Sequence, residues 1–486
     1  MSKDILKLEP KNLWKNFYEL TQIPRPSKKE EKVREFLKKF GEDLGLETIV
    51  DEVGNVIIKK PATEGMENRK GIILQGHMDM VPQKNADTDH DFEKDPIDAY
   101  VDGEWVTAKG TTLGADNGMG VAAALAVLEA NDIEHGPVEV LVTVDEETGM
   151  TGAENLKPGL LDGDILLNMD SEDEGELYIG CAGGVNTTGE LKYKTEDVPE
   201  GMVAYKVTVK GLKGGHSGLD INLGRGNANK IMNVLLMKAI EKYGLRLAEI
   251  SGGSLRNAIP RESFATVVVP EDKKGDFETF VKEFEAIVQD EFKEADGGVM
   301  VTAEATDLPE KMIDEKSTKG LYDAVAGCPN GVIAMSKKVK GVPETSTNLA
   351  IVKSEGGKFY IETLQRSLVD DDRDKIAQEV RDVFEAAGFK AESSGSYPGW
   401  KPNPDSDILK EMKEIYNNKF GKVPEVKVIH AGLECGILGA TYINWDMISF
   451  GPTIRNPHSP DEKVNIETVQ KFWDFLLETL KHVPEK

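Results

Sequence analysis

The first third of the chain alternates short apolar runs with stretches of helical period. Residues 12–20 and 29–44 repeat apolar side chains at helical spacing, and Ser27 is placed to cap the second of these. Three runs, 71–76, 138–144 and 164–169, predict buried strands, and between the first two residues 117–130 predict a helix built largely of small side chains. This alternation predicts an α/β domain with a parallel-rich sheet and helices on its faces.

The middle third has a different rhythm. A strand at 203–209, a helix at 227–243, strands at 246–251 and 264–269, a helix at 274–293 and a strand at 299–305 give the order β-α-β-β-α-β of a ferredoxin-like unit. A second run follows: a helix at 317–326, strands near 331–336, 349–354 and 358–365, a helix at 373–387 and a strand at 389–393. The region therefore predicts an inserted α+β lid domain with a duplicated ferredoxin-like pattern. Residues 394–404, dense in glycine and proline, predict a linker. Beyond it the α/β pattern resumes with a helix at 406–420, a strand at 425–429 and a helix at 465–482. The expected organisation is a discontinuous catalytic domain, 1–186 and 400–486, with the lid at 187–399.

Composition narrows the function. A chain of 486 residues that is 39% hydrophobic can bury more than one core. A formal charge of -27 and the lack of a basic patch argue against a nucleic-acid partner. Three scattered cysteines, Cys181, Cys328 and Cys435, form neither a disulfide framework nor a cysteine zinc motif and suit a reducing compartment. The charged N-terminal stretch lacks an apolar signal core, and no run approaches the ~20 apolar residues of a membrane span. The expectation is a cytoplasmic protein that does not engage a membrane.

The polar residues matter by position. In open α/β sheets, ligands bind beyond the carboxyl ends of the strands. The three strands run into Gln75-Gly-His77-Met-Asp79, Asp145-Glu146-Glu147 and Asn168-Met-Asp170. Between them lies Gly114-Ala-Asp116-Asn-Gly118, and near the C-terminus Pro457-His458-Ser-Pro-Asp461. His77 and Asp79, two apart, point the same way in extended backbone, which suits a carboxylate orienting a ligand imidazole. Imidazole and carboxylate donors without thiolate suit zinc, with manganese or cobalt as substitutes. Taken singly, each piece has a plainer reading: a structural histidine, a solvated acidic turn at Glu146-Glu147, a glycine turn around Asp116, a helix N-cap at Asp170. Their joint placement at one sheet edge favours a metal site.

The stretches Gly76-His-Met-Asp-Met-Val-Pro-Gln83, Thr111-Thr-Leu-Gly-Ala-Asp-Asn-Gly118, Glu146-Glu147, Asn168-Met-Asp170, His430-Ala-Gly-Leu-Glu-Cys-Gly436 and Pro457-His-Ser-Pro-Asp-Glu462 resemble the M20 metallopeptidase family, in its aminoacyl-histidine dipeptidase (peptidase D, Xaa-His dipeptidase) branch. The resemblance implies a dipeptidase with two zinc ions per chain. His77 and Asp170 would hold one ion, Glu147 and His458 the other, and Asp116 would bridge them. Asp79 would orient His77, and Glu146 would be the general base for a hydroxide shared by the metals. Many members carry a second aspartate where this chain has Asn117, which leaves the bridging ligand intact. On the lid, Lys213-Gly-Gly-His216-Ser-Gly218 and Arg256-Asn257-Ala-Ile-Pro260 resemble family motifs, implying that His216 stabilises the oxyanion and Asn257 holds substrate; from the residues alone, a glycine turn with a solvated histidine is the competing reading. Arg366 would take the substrate carboxylate and Glu434 its amino group, while His430 has no assigned role. The duplicated lid implies that His216 serves its own chain, and the branch is compatible with a homodimer. The competing activity is an M20 amidohydrolase acting on N-acyl amino acids, which would use the same metal site.

Overall fold

The computed structural model describes residues 3–486, which form two compact units. The first runs up to Gly180 and takes in Pro402–Val428 and Leu433–Lys486; the second is Cys181–Lys401 with Ile429–Gly432. The expected boundary at 187 falls inside the strand Gly183–Lys192 of the second unit.

The first unit is built on an eight-stranded sheet in the order Glu47–Val50, Val56–Lys60, Val138–Thr143, Ile72–His77, Ile165–Asn168, Asp446–Ser449, Glu176–Cys181, Glu425–Ile429. Its centre is parallel: Ile72–His77 lies between Val138–Thr143 and Ile165–Asn168, and Asp446–Ser449 continues the parallel set. Every residue of the strands at 72–77, 138–143 and 165–168 is buried, as expected of strands covered on both faces. The small residues of the helix Ala115–Glu129 let it lie close to the sheet, and nearly all of them are buried. A four-stranded antiparallel sheet, Ile454–Arg455, Lys463–Asn465, Trp105–Ala108 and Ala99–Asp102, brings the loop 456–462 next to the segment that follows residue 108.

Ser27 does not cap the second helix. That helix begins at Glu31 after Glu30, without a side-chain cap, and the Ser27 hydroxyl donates to Asp79 Oδ2 at 2.8 Å instead. Ser406 and Asn465 do cap their helices, accepting from Leu409 N and Thr468 N.

The second unit carries a nine-stranded sheet. Met202–Lys210, Arg246–Gly252, Ser263–Pro270 and Met300–Thr306, with helices Ala228–Tyr243 and Lys274–Glu291, stand in the spatial order 4-1-3-2 of a ferredoxin-like half. The other half has the same order. Its strands are Gly183–Lys192, Pro343–Glu355, Lys358–Ser367 and Lys390–Tyr397, with helices Glu315–Gly327 and Asp370–Ala386. The halves join where Arg246–Gly252 pairs with Pro343–Glu355. The later half thus takes its first strand from ahead of the earlier one, which the sequence pattern, starting that half at a helix, does not reveal. Gly183 explains part of this: an added Cβ would lie 2.6 Å from Gly399 N, so close backbone approach demands a residue with no strand propensity. The predicted linker also shortens, since the strand Lys390–Tyr397 takes its first residues. Val207, Val267, Phe277, Phe359 and Phe384 are among the core residues that run continuously through both halves.

Candidate active site

At the carboxyl edge of the parallel strands the first unit gathers its acidic and imidazole side chains. His77 ends its strand, and its Nε2 lies 3.1 Å from Asp116 Oδ1 and 3.3 Å from Asp170 Oδ1. Asp116 presents its other oxygen, Oδ2, to His458 Nε2 at 3.2 Å, and that nitrogen also meets Glu147 Oε2 at 3.0 Å. The trios His77, Asp116, Asp170 and Asp116, Glu147, His458 each bring one donor atom per residue within 4.8 Å of the others. Glu146 joins His77 and Glu147 in a third such trio. Asp116 is common to the first two, one oxygen on each side.

Backbone geometry sets these side chains. Asp145, at φ 51, turns the chain sharply out of its strand so that Glu146 and Glu147 open a one-turn helix. Fully buried Asp79 fixes that turn: its Oδ1 accepts from Glu146 N at 3.0 Å and its Oδ2 from Glu147 N at 3.3 Å. The same carboxylate stands 3.3 Å from His77 Nδ1, where it favours a proton on that nitrogen and leaves Nε2 for a ligand. The peptide between Asp116 and Asn117 is cis.

Electrostatics follow from burial and crowding. Removal from water, reinforced by repulsion from Asp170, Glu434 and Glu147, holds Glu146 well above the usual carboxylate range. Burial likewise pushes Asp170 up to about 7. Burial opposes ionisation of Asp116, but contacts with His458 and His77 outweigh it and hold that carboxyl low. His458, between Asp116 and Glu147, is raised to about 11. The cluster favours positive charge at its centre. Glu147 Oε1 and Asp170 Oδ1 are buried without a hydrogen-bond partner among the described residues. Such donors fit divalent cations bound by nitrogen and oxygen.

Beneath the cluster, fully buried Glu434 accepts from Gln75 Nε2 at 2.6 Å and from Thr143 Oγ1 at 2.8 Å through Oε2, while Oε1 has no partner among the described residues. Burial pushes its carboxyl up to about 8.

In the second unit, His216 sits on a two-residue strand paired with Ala258–Ile259. Its Nδ1 accepts from Gly218 N at 3.2 Å and Leu219 N at 3.1 Å. An Nδ1 that accepts twice leaves the ring proton on Nε2, which makes His216 a neutral donor. Burial first, then Arg366, lowers its pKa to about 4. Asn257 is exposed on the adjoining loop, with its carbonyl accepting from Ser217 N at 2.8 Å. Buried Arg366 donates to Tyr397 Oη at 2.8 Å. His430 Nε2 lies 2.8 Å from Ser346 Oγ, and burial, with Arg366 and His216 nearby, lowers its pKa to about 3.

Residues 73–482 match the sequence profile of peptidase family M20/M25/M40. The chain belongs to this family. Over 483 residues it is 46% identical to the cytosol non-specific dipeptidase of Escherichia coli (strain K12), covering 99% of this chain and 100% of that one. It is similar to the solved structure of aminoacylhistidine dipeptidase from Vibrio alginolyticus, with TM-score 0.92 and 48% identity over 99% and 98% of the two chains. The aminopeptidase PepT of Bacillus cereus shares the fold at TM-score 0.58 and 17% identity, over 98% of this chain and 99% of that one.

In this M20 chain the residues singled out from sequence fall into two sets. His77, Asp79, Asp116, Glu146, Glu147, Asp170, Glu434 and His458 converge in the first unit; His216, Arg366 and Asn257 belong to the second. Three supporting residues escaped the sequence reading. Gln75 left a signal, a polar side chain inside a buried and otherwise mostly apolar strand. Arg25, between two prolines, and Glu462, at the end of a motif read for its histidine, left none that distinguishes them from surface charges.

Proposed function

We propose that this chain hydrolyses the peptide bond of dipeptides, Xaa-His dipeptides among them, in the cytoplasm, using two zinc ions for which cobalt or manganese can substitute. The observation that carries this reading is the pair of donor trios sharing Asp116, with a different oxygen toward each. His77 and Asp170 would hold one ion, Glu147 and His458 the other, and Asp116 both. When bound, such a pair of cations supplies an acidified water and polarises the scissile carbonyl. Glu146, next to Glu147 on the turn, takes the proton of the attacking water and returns it to the leaving amine. Asp79 holds His77 and the Glu146-Glu147 turn in register.

In the second unit, His216 would donate from Nε2 to the tetrahedral oxyanion, Asn257 would hold the substrate and Arg366 would take its carboxylate in a charge-assisted contact. Glu434 would receive the substrate ammonium. The relatives' dipeptidase activities and the near-complete coverage support the substrate class over N-acyl amino acids.

The test is metal analysis of the purified chain together with a panel of Xaa-His, carnosine-like and N-acyl substrates. About two divalent ions per chain, loss of activity on chelation, recovery with zinc, cobalt or manganese, and preference for free dipeptides are expected. A chain active after full chelation, or one that prefers N-acyl amino acids, overturns the reading.

A further inference from the structure

The turn that presents Asp116 is gripped from two sides by buried ions. Glu462, 2% exposed, accepts four successive amide N–H groups. Its Oε2 takes those of Leu113 at 2.7 Å and Gly114 at 2.9 Å, and its Oε1 those of Ala115 at 2.8 Å and Asp116 at 3.2 Å. A run of amides around one anion is a backbone nest, and a carboxylate there also favours the start of the helix Ala115–Glu129. From the carbonyl side, Arg25 donates to Gly114 O at 2.5 Å and to Met78 O and Asp79 O at 3.1 and 3.0 Å. Gly114 stands at φ 72, and a Cβ there would lie 2.6 Å from Arg25 Nη2, so the clamp requires glycine on both counts.

Glu462 sits four positions after His458 in the loop 456–462, whose imidazole meets Asp116 at 3.2 Å. Thr107 Oγ1 donates to Glu462 O at 2.8 Å and ties that loop to the antiparallel sheet. The segment that carries one imidazole therefore also carries the anchor of the carboxylate which that imidazole faces.

We propose that Glu462 is a positioning residue for the dinuclear centre: it sets the Leu113–Asp116 turn before any cation arrives and locks it to the His458 loop. This rests on the reading that Asp116 is the shared ligand. A helix cap of purely structural value would affect stability alone, whereas a positioning residue governs how tightly the cations are held.

The variant Glu462→Gln keeps the shape but has one acceptor oxygen and turns an NH2 group toward amide donors. With far-UV circular dichroism unchanged, zinc titration against a competing chelator is expected to show one or both ions bound roughly 10–100-fold more weakly, the range for groups that orient a ligand. The visible spectrum of the cobalt-loaded variant should differ from that of the cobalt-loaded parent. Unchanged affinities with an unchanged cobalt spectrum overturn the proposal. Should the variant not fold, hydrogen exchange on the metal-free parent chain decides. Protected amides at 113–116 without zinc support the proposal, and amides that exchange freely until zinc is added overturn it. A parent chain that takes up fewer than two ions defeats the shared-ligand reading itself, a result distinct from either of these.

Discussion

His77 and His458 meet the two oxygens of a single carboxylate, 3.1 Å away on one side and 3.2 Å on the other, although 381 of the chain's 486 positions separate them. That carboxylate belongs to Asp116. Asp116→Ala should therefore disturb both metal positions, whereas His458→Ala should disturb one. Metal counts after gel filtration check this: the first variant is expected to retain fewer ions than the second. Equal retention would show that the two positions are independent.

Glu146→Gln leaves the turn and Asp79's backbone contacts in place while removing the proton acceptor. We expect kcat to fall about 10²–10⁴-fold, the usual worth of a general base, with metal content intact. Steady-state kinetics beside metal analysis separates this from a ligand defect, which would lower both.

Glu434 offers one oxygen that already accepts two hydrogen bonds and one that has no partner among the described residues. If the second oxygen receives the substrate ammonium, the parent chain should bind a dipeptide more tightly than its N-acetyl counterpart, and Glu434→Gln should erase most of that preference. A hydrogen bond to a charged group is worth about 1.5–3 kcal/mol, or roughly 10–100-fold in affinity. Competitive inhibition constants for the two ligands read this directly. A preference that survives the substitution removes Glu434 from substrate recognition.

The histidines of the second unit predict acid sensitivity. His430 and His216 have folded-state pKa values lowered to about 3 and about 4, against 6.5 ordinarily. Above 6.5 neither the folded nor the unfolded chain protonates them and stability is full. As pH falls below 6.5 the unfolded chain takes up protons that the folded one refuses, so stability drops until the folded pKa is reached. For buried His430 the slope is at most about 1.4 kcal/mol per pH unit. Urea unfolding between pH 7.5 and 5 should show His430→Asn losing less stability on acidification than the parent; parallel curves would refute this.

The donors at the sheet edge were legible because buried parallel strands are continuous apolar runs. Whatever polar residue follows such a run, as His77, Glu146 and Asp170 do, stands where ligands bind. The support beneath them was not legible. Glu462 acts through four backbone amides and Arg25 through three carbonyls, and main-chain partners leave no mark on a sequence. The same holds for the proton on His216, which two amide donors decide. Ser27 reads as a cap because it precedes a helical period, yet the helix starts later and the hydroxyl serves Asp79. The strands Glu176–Cys181 and Asp446–Ser449 also join this sheet, which is wider than the pattern of the three apolar runs suggests.

The strand Gly183–Lys192 has to wait for its neighbours. Both of them, Lys358–Ser367 and Lys390–Tyr397, lie beyond the whole of the other ferredoxin-like half. At ribosomal speeds of about 5–20 residues per second, the nascent segment stays unpaired for roughly ten to thirty seconds. Its glycines at 183, 184 and 189 make it a poor template for adhesion during that interval. A more hydrophobic version would pair well in the finished sheet and be exposed to aggregation throughout translation.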